Sequence, residues 1–202
     1  VDQKAVDPLL AIDDLNVTVN GTAIVRDVSL QLDRGERLAL VGESGSGKTV
    51  TALSILRLFE ASGAVTRGAI RFEGEDVLSM SLPRVRRLRG ARVGMIFQEP
   101  MTALNPLKTI GAQIAEVLSR HLGLRGESLR NRVRELLAQV RLPQPERVMR
   151  AMPHQLSGGQ RQRAMIAMAI ACNPSLLIAD EPTTALDAGL RKTIMDLLVE
   201  LQ

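Results

Sequence analysis

The sequence predicts an α/β fold with a mostly parallel sheet, an N-terminal antiparallel β region and a helical insertion. Three observations predict it. An apolar run, Arg37–Val41, leads through a glycine-rich loop into the helix-like stretch 50–58. The first 35 residues alternate apolar and polar positions at strand period, and residues 110–140 hold two stretches with apolar residues on one helical face. Near the other end, the continuous apolar run Leu176–Ala179 delivers Asp180 and Glu181, as a central parallel strand covered on both faces would.

In chain order, Leu9–Ile12 opens the β region. Leu15, Val17 and Val19 alternate with polar residues, and Val28, Leu30 and Leu32 do so again. Asn20-Gly21 between the two runs marks an antiparallel hairpin. Asp33–Glu36 is a turn, and Arg37–Val41 a buried strand. Gly68–Phe72 is a further strand, closed by Gly74-Glu75-Asp76. Pro83 starts a short arginine-rich helix, and Val93–Phe97 is a short buried strand broken by Gln98-Glu99-Pro100. Ile110, Ile114, Val117, Leu118 and Leu122 share one helical face, with His121 partly buried on it. Leu129, Val133, Leu136, Leu137 and Val140 share another, ended by 142–145. A third helix follows Ser157-Gly158-Gly159, with Met165, Met168, Ala169 and Cys172 on its core side, until Asn173-Pro174 breaks it. A last helix runs from about Gly189.

Bulk composition narrows the function classes. The 202 residues suffice for a full core, and 45% hydrophobic with 24% charged residues is ordinary for a soluble globular chain. Three Phe and no Trp or Tyr leave an aliphatic core and no aromatic platform for single-stranded nucleic acid, so no nucleic-acid partner is expected despite the net charge of +4. Arg84, Arg86, Arg87, Arg89 and Arg92 read as a solvated helix face. Cys172 is the one cysteine, which excludes an intrachain disulfide framework and a thiolate metal cluster, and it reads as a small core residue. The N-terminus lacks the pattern of a secretory signal, and the longest apolar run, Ala164–Cys172, is far short of a membrane span. A cytosolic protein able to dock on a membrane protein is the expectation.

The chemistry concentrates in three places. Gly42-Glu43-Ser44-Gly45-Ser46-Gly47-Lys48-Thr49 matches the phosphate-cradling pattern G-x-x-x-x-G-K-[ST] in its strand–loop–helix setting. Glycines let backbone N–H groups approach a polyphosphate at a helix N-terminus. Lys48 would reach its β- and γ-phosphates, and the Thr49 hydroxyl would ligate Mg²⁺. Asp180, at a strand's C-terminal end, would help hold Mg²⁺ opposite Thr49. Glu181, on the other side of the pleat if extended, would polarise an attacking water. The third place is Leu156–Arg163, read by its residues as a Ser157 N-cap with a glycine turn opening a helix, which is an anion-binding end.

Leu156-Ser157-Gly158-Gly159-Gln160 resembles the LSGGQ signature of ATP-binding-cassette (ABC) ATPases, and the resemblance covers essentially the whole chain. Gln98 sits at the place of that family's Q-loop glutamine, and Thr184-Ala185-Leu186-Asp187 resembles its D-loop. The stretch 97–106, with Pro153-His154-Gln155, is similar to the ATPase subunits of dipeptide and oligopeptide importers and their nickel- and glutathione-import relatives. The resemblance implies a RecA-like P-loop NTPase core. Residues 1–97 and 164–202 would form the β subdomain and ATP-binding core, and residues 98–163 a helical subdomain of the ABC type.

It also implies an ATPase with ATP and Mg²⁺ at two sites of a head-to-tail dimer with an identical or paralogous subunit. Each site would pair one P-loop (Gly42–Thr49) with the partner chain's Ser157, Gly158, Gly159 and Gln160, with Asp187 at the dimer interface. Lys48, Gln98 and Glu181 would serve catalysis, and Thr49, Gln98 and Asp180 the metal. A transmembrane permease, and through it a substrate-binding protein, would be the partners in uptake of peptides or a related small solute. The chain would lie on the inner face of the cell membrane.

Two departures from the family pattern matter. No aromatic lies near Val19, where the family stacks adenine. The chain also reaches Gln202 before the family's switch histidine, since His121 and His154 lie in other segments, so the sequence reads either as a fragment, the favoured reading, or as a chain with impaired hydrolysis. The alternatives are a non-hydrolysing nucleotide-binding interaction module and a non-transport ABC ATPase. A small-molecule P-loop kinase gives no reason for Leu156–Gln160.

Overall fold

A computed structural model describes residues 7–59, 63–184 and 188–201. The chain divides into two compact units, Val1–Arg89 and Gly90–Gln202.

The N-terminal unit is built on a four-stranded sheet, ordered β2-β1-β3-β4, from β1 (Leu10–Val19), β2 (Thr22–Leu32), β3 (Ala64–Phe72) and β4 (Glu75–Asp76). The Asn20-Gly21 turn has both residues at positive φ (49° and 80°), the geometry that closes a two-residue hairpin. β1 pairs antiparallel with β2 on one side and β3 on the other. Ile12, Leu15 and Val17 are fully buried, a register shift between Ile12 and Leu15 interrupting the alternation. α1 (Lys48–Ile55) and the predicted arginine-rich helix α2 (Leu82–Leu88), with Pro83 in its first turn, complete the unit. Only part of the basic run is a solvated face. Arg84 pairs with Glu75, whereas Arg89 turns inward and donates to the carbonyls of Leu56 and Arg57 at 2.8 and 3.0 Å.

The expected buried strand Arg37–Val41 is not formed. The segment is irregular, with Leu38, Leu40 and Val41 50%, 47% and 88% exposed. A strand exists through its ladder of hydrogen bonds, and among the described residues neither sheet includes this segment.

In the C-terminal unit, β5 (Val93–Ile96) and β6 (Leu176–Ala179) pair in parallel, Val93 opposite Leu176 and Ile96 opposite Ala179. The crossover is helical: α3 (Pro100–Ala103), α4 (Ile110–Leu122), α5 (Gly126–Gln139), α6 (Pro145–Arg150) and α7 (Gly158–Ala169), with one 3₁₀ turn at Pro153–Gln155. α8 (Ala188–Glu200) follows. The predicted one-faced helices are α4 and α5, whose Ile110, Ile114, Leu118, Val133, Leu136 and Leu137 join one core with Met165, Ile166 and Ile194. Thr109 caps α4, accepting from the Ala112 N–H at 3.3 Å, and Gly123 at φ 67° ends it. The short helices α3 and α6 were not expected. Both begin at a proline, Pro100 and Pro145, which was read as a break and serves instead as a helix start.

Two expectations change here, and one holds. β6 is buried only at Leu176 and is exposed by Ala179, because among the described residues β5 is its one hydrogen-bonded neighbour. α7 ends at Ala169, before the Asn173-Pro174 break, so Cys172 lies beyond the helix and is half-buried; burial pushes its thiol pKa up. His121 is partly buried as expected, and that burial, aided by Arg120, holds its imidazole below its usual pKa.

Candidate functional site

Each unit contributes its own set of site residues. In the N-terminal unit, Gly42–Thr49 wraps the start of α1. Gly45 (φ 82°) and Gly47 (φ 90°) hold left-handed conformations that an L side chain resists. Gly47 is also needed for space, since a Cβ there would stand 2.9 Å from the Ile24 carbonyl oxygen and 3.0 Å from a Val25 methyl of β2. A Cβ on Gly42 would sit 2.7 Å from the Ser46 hydroxyl. The Ser46 N–H donates to the Glu43 carbonyl at 3.2 Å, closing the turn. α1 starts from Gly47 with no side-chain cap, a helix end of the kind that a phosphate can complete. The Lys48 ammonium donates to the carbonyls of Gly42 and Glu43, both at 2.8 Å. These are neutral acceptors, weaker than the charged oxygens of a phosphate. The loop therefore fits a polyphosphate. Val19, where a stacking aromatic is absent, pairs with Thr22 and Ala64.

In the C-terminal unit, the parallel pairing of β5 and β6 brings their following residues out at the same end. The ladder continues one step, from the Asp180 N–H to the Ile96 carbonyl at 2.9 Å. Gln98 and Glu181, 83 positions apart, meet there: Gln98 Nε2 donates to Glu181 Oε2 at 2.9 Å. The Thr184 hydroxyl donates to the same oxygen at 3.0 Å. Glu181 is not extended. Its φ is +44°, a left-handed conformation costing a non-glycine residue about 1–3 kcal/mol. It also precedes Pro182, which favours extended geometry in the residue before it. The carboxylate therefore does not take the expected place across the pleat from Asp180. The backbone turns at Glu181, and the Thr184 N–H closes that turn on the Glu181 carbonyl at 3.2 Å.

Ser157 is the N-cap of α7 in a reciprocal capping box. The Ser157 hydroxyl accepts from the Gln160 N–H at 3.4 Å, and Gln160 Oε1 accepts from the Ser157 N–H at 3.0 Å. The two glycines differ. A Cβ on exposed Gly158 would meet nothing within 4 Å, while one on buried Gly159 would meet both Leu190 methyls of α8 at 3.1 Å. A side chain at Gly159 would press on Leu190 of its own chain, whereas Gly158 leaves open space beside the helix end. Asp187 lies outside the described residues, as do Ala185 and Leu186.

Gln113 of α4 was missed from the sequence. Only 7% exposed, it accepts from the Asn105 N–H at 2.8 Å and donates to the carbonyls of Asn105 and Lys108 at 3.1 and 3.0 Å, fixing the loop that follows Gln98 and α3. Its one sequence signal is a polar residue within a turn of the apolar positions Ile110 and Ile114.

Residues 25–184 match the ABC transporter family. A relative named peptidoglycan transport ATP-binding protein YejF, from Agrobacterium fabrum, is 52% identical over 96% of this chain and 37% of its own length. The oligopeptide transport ATP-binding protein OppD of Bacillus subtilis is 50% identical over 88% of this chain and 50% of its own. The chain thus spans half or less of the length of these relatives. Among solved structures, the dimeric ATP-binding cassette MJ0796 in a post-hydrolysis state with ADP and Pi superposes with a TM-score of 0.83 at 29% identity, covering 95% of this chain and 82% of that one. The family match runs from β2 through the phosphate loop, the capped start of α7 and the turn at Glu181, and it establishes that this chain belongs to the ABC transporter family.

Proposed function

We propose that the chain is the ATP-binding and hydrolysing cassette of an importer, powering uptake of peptides or a related small solute through transmembrane permease subunits. The observation that carries the hydrolytic part is the Glu181 arrangement. Its carboxylate takes two hydrogen bonds, from Gln98 and Thr184, in a left-handed backbone. A module that only binds nucleotide has no need of a carboxylate held at such a cost; a general base does. The names of the relatives, which refer to peptidoglycan and oligopeptide transport, support a peptide-like solute.

In this reading, the N–H groups of Gly45–Thr49 and the Lys48 ammonium bind the β- and γ-phosphates of ATP. Thr49, Gln98 and Asp180 are the residues that would hold Mg²⁺, which would neutralise phosphate charge. Glu181 takes the proton of the attacking water, and Gln98 aims the carboxylate. Ser157, Gly158, Gly159 and Gln160 face the γ-phosphate bound by a second cassette in a head-to-tail dimer, with Asp187 at the interface. The dimer reading draws support from the MJ0796 cassette, which is dimeric. Among the described residues no helix is long and apolar enough to cross a membrane, so the permease would supply the attachment to the inner face of the cell membrane. A substrate-binding protein would deliver the solute.

The test is Mg-ATP turnover of the full-length protein against its own concentration. A more-than-linear rise that Glu181→Gln abolishes supports the composite dimeric site. Turnover proportional to concentration and indifferent to Glu181→Gln would remove both the dimer and the base.

A further inference from the structure

Gln162 has no obvious place where it stands. It lies in the second turn of α7, is 2% exposed, and shares the buried side of that helix with Met165, Ile166 and Ala169. A methionine would fill the same volume without burying an amide. The amide has one partner of note: Nε2 donates to the Pro182 carbonyl oxygen at 2.7 Å. That carbonyl belongs to the residue directly after Glu181. Pro182 has no N–H of its own to anchor the turn, and Glu181 is in a left-handed conformation that the following proline disfavours. The carboxylate is fixed by Gln98 and Thr184; the backbone beyond it is fixed from α7.

We propose that Gln162 is a positioning residue, tying the aim of the Glu181 carboxylate to the position of α7 in the same chain. The proposal rests on the reading of Glu181 as the base. α7 is a continuous helix whose first residues follow the Ser157 cap. Its start is packed on Leu190 through Gly159, and its second turn holds Pro182 through Gln162. A ligand that shifts the Ser157 end of α7 therefore moves the anchor of Glu181 with it. Occupancy at the signature end of one chain is felt by the base of that same chain through a single hydrogen bond.

The experiment measures kcat and KM for Mg-ATP, with thermal unfolding, on the full-length protein in its native assembly. Gln162→Met keeps the volume and removes the donor. Gln162→Glu keeps the length and donates only when protonated. The expected result for Gln162→Met is a kcat about tenfold lower with KM within about twofold, because a support of the base is lost and the nucleotide contacts are not. For Gln162→Glu, kcat relative to the unsubstituted protein should rise at least about threefold as pH falls from about 8.5 to about 6, since a buried carboxyl titrates upward into that window.

A kcat for Gln162→Met within about twofold of the parent, or a loss shared equally by KM, overturns the proposal. A flat relative profile for Gln162→Glu overturns it too. If both variants fail to fold, Gln162 serves the core alone, and the proposal falls. A parent protein with no turnover above Lys48→Ala would instead sink the hydrolase reading on which the proposal rests.

Discussion

Two helices of this protein begin at glycine-rich loops, and they begin in opposite ways. α1 starts from Gly47 in a left-handed conformation with no side-chain cap, and its lysine donates to two neutral carbonyls of its own loop. α7 starts from Ser157 in a reciprocal capping box with Gln160, so two of its orphan donors are already satisfied by its own side chains. An uncapped N-terminus is stabilised by an external anion; a capped one is stable alone. The first loop therefore fits the proposed phosphate, which would supply what the helix end lacks. The second is a finished helix end that presents an exposed Ser157 and a Gly158 with open space beside it to something arriving from outside.

Breaking this contrast at its stronger side gives the largest effect. Lys48→Ala should lower Mg-ATP turnover by roughly 10²–10³-fold or more and weaken nucleotide affinity, as loss of a charged donor to a transferring phosphoryl group does. Unchanged affinity in a fluorescence titration and an unchanged rate would sink the assignment of the first loop. Glu181→Gln should cost roughly 10²–10⁴-fold in turnover while leaving ATP affinity intact. Light scattering with ATP should then report a longer-lived dimer, and a monomer alone would count against the composite site.

The second loop separates its two glycines. Gly159→Ala should destabilise the fold by about 1–3 kcal/mol, because the new methyl meets Leu190 at 3.1 Å. Gly158→Ala should leave the urea midpoint within about 0.5 kcal/mol, since nothing stands in its way, yet reduce turnover if a second cassette must approach there. Equal stability losses would erase the distinction between them. Ser157→Ala should cost about 1 kcal/mol through the lost cap, readable by the same denaturation.

The smallest effect lies at His121, away from both loops. Burial, with help from Arg120, lowers its pKa below the usual 6.5. The unfolded chain then binds more protons than the folded one below that value, so this residue makes stability fall as pH falls from about 7 toward 5. His121→Gln should flatten that part of the melting-temperature profile, and an identical slope in both proteins would show that other groups set it.

The expectations that held are those resting on local chemistry. The Asn20-Gly21 hairpin, the one-faced helices α4 and α5 and the Ser157 cap follow from turn geometry, period and capping, each decided within a few residues. Those that failed rest on partners elsewhere in the chain. Arg37–Val41 has the composition of a buried strand, but hydrogen bonding to a neighbour makes a strand, and apolar residues alone do not supply one. Pro100 and Pro145 read as breaks, yet each stands in the first turn of a short helix, a place where the missing N–H costs nothing.

The sequence by itself determined the chemistry: a phosphate loop with its lysine and threonine, paired carboxylates after a short apolar strand, a capped glycine helix start, and through these the family. Tertiary structure alone decided how the carboxylate is held. The parallel register of β5 and β6 brings Gln98 to Glu181, and packing of α7 sets Gln162 on Pro182 and Gly159 on Leu190. Motif chemistry is encoded over spans of a few residues, where backbone rules act locally. The aim of the Glu181 carboxylate depends on atoms far apart in sequence that only a packed core brings within hydrogen-bond distance.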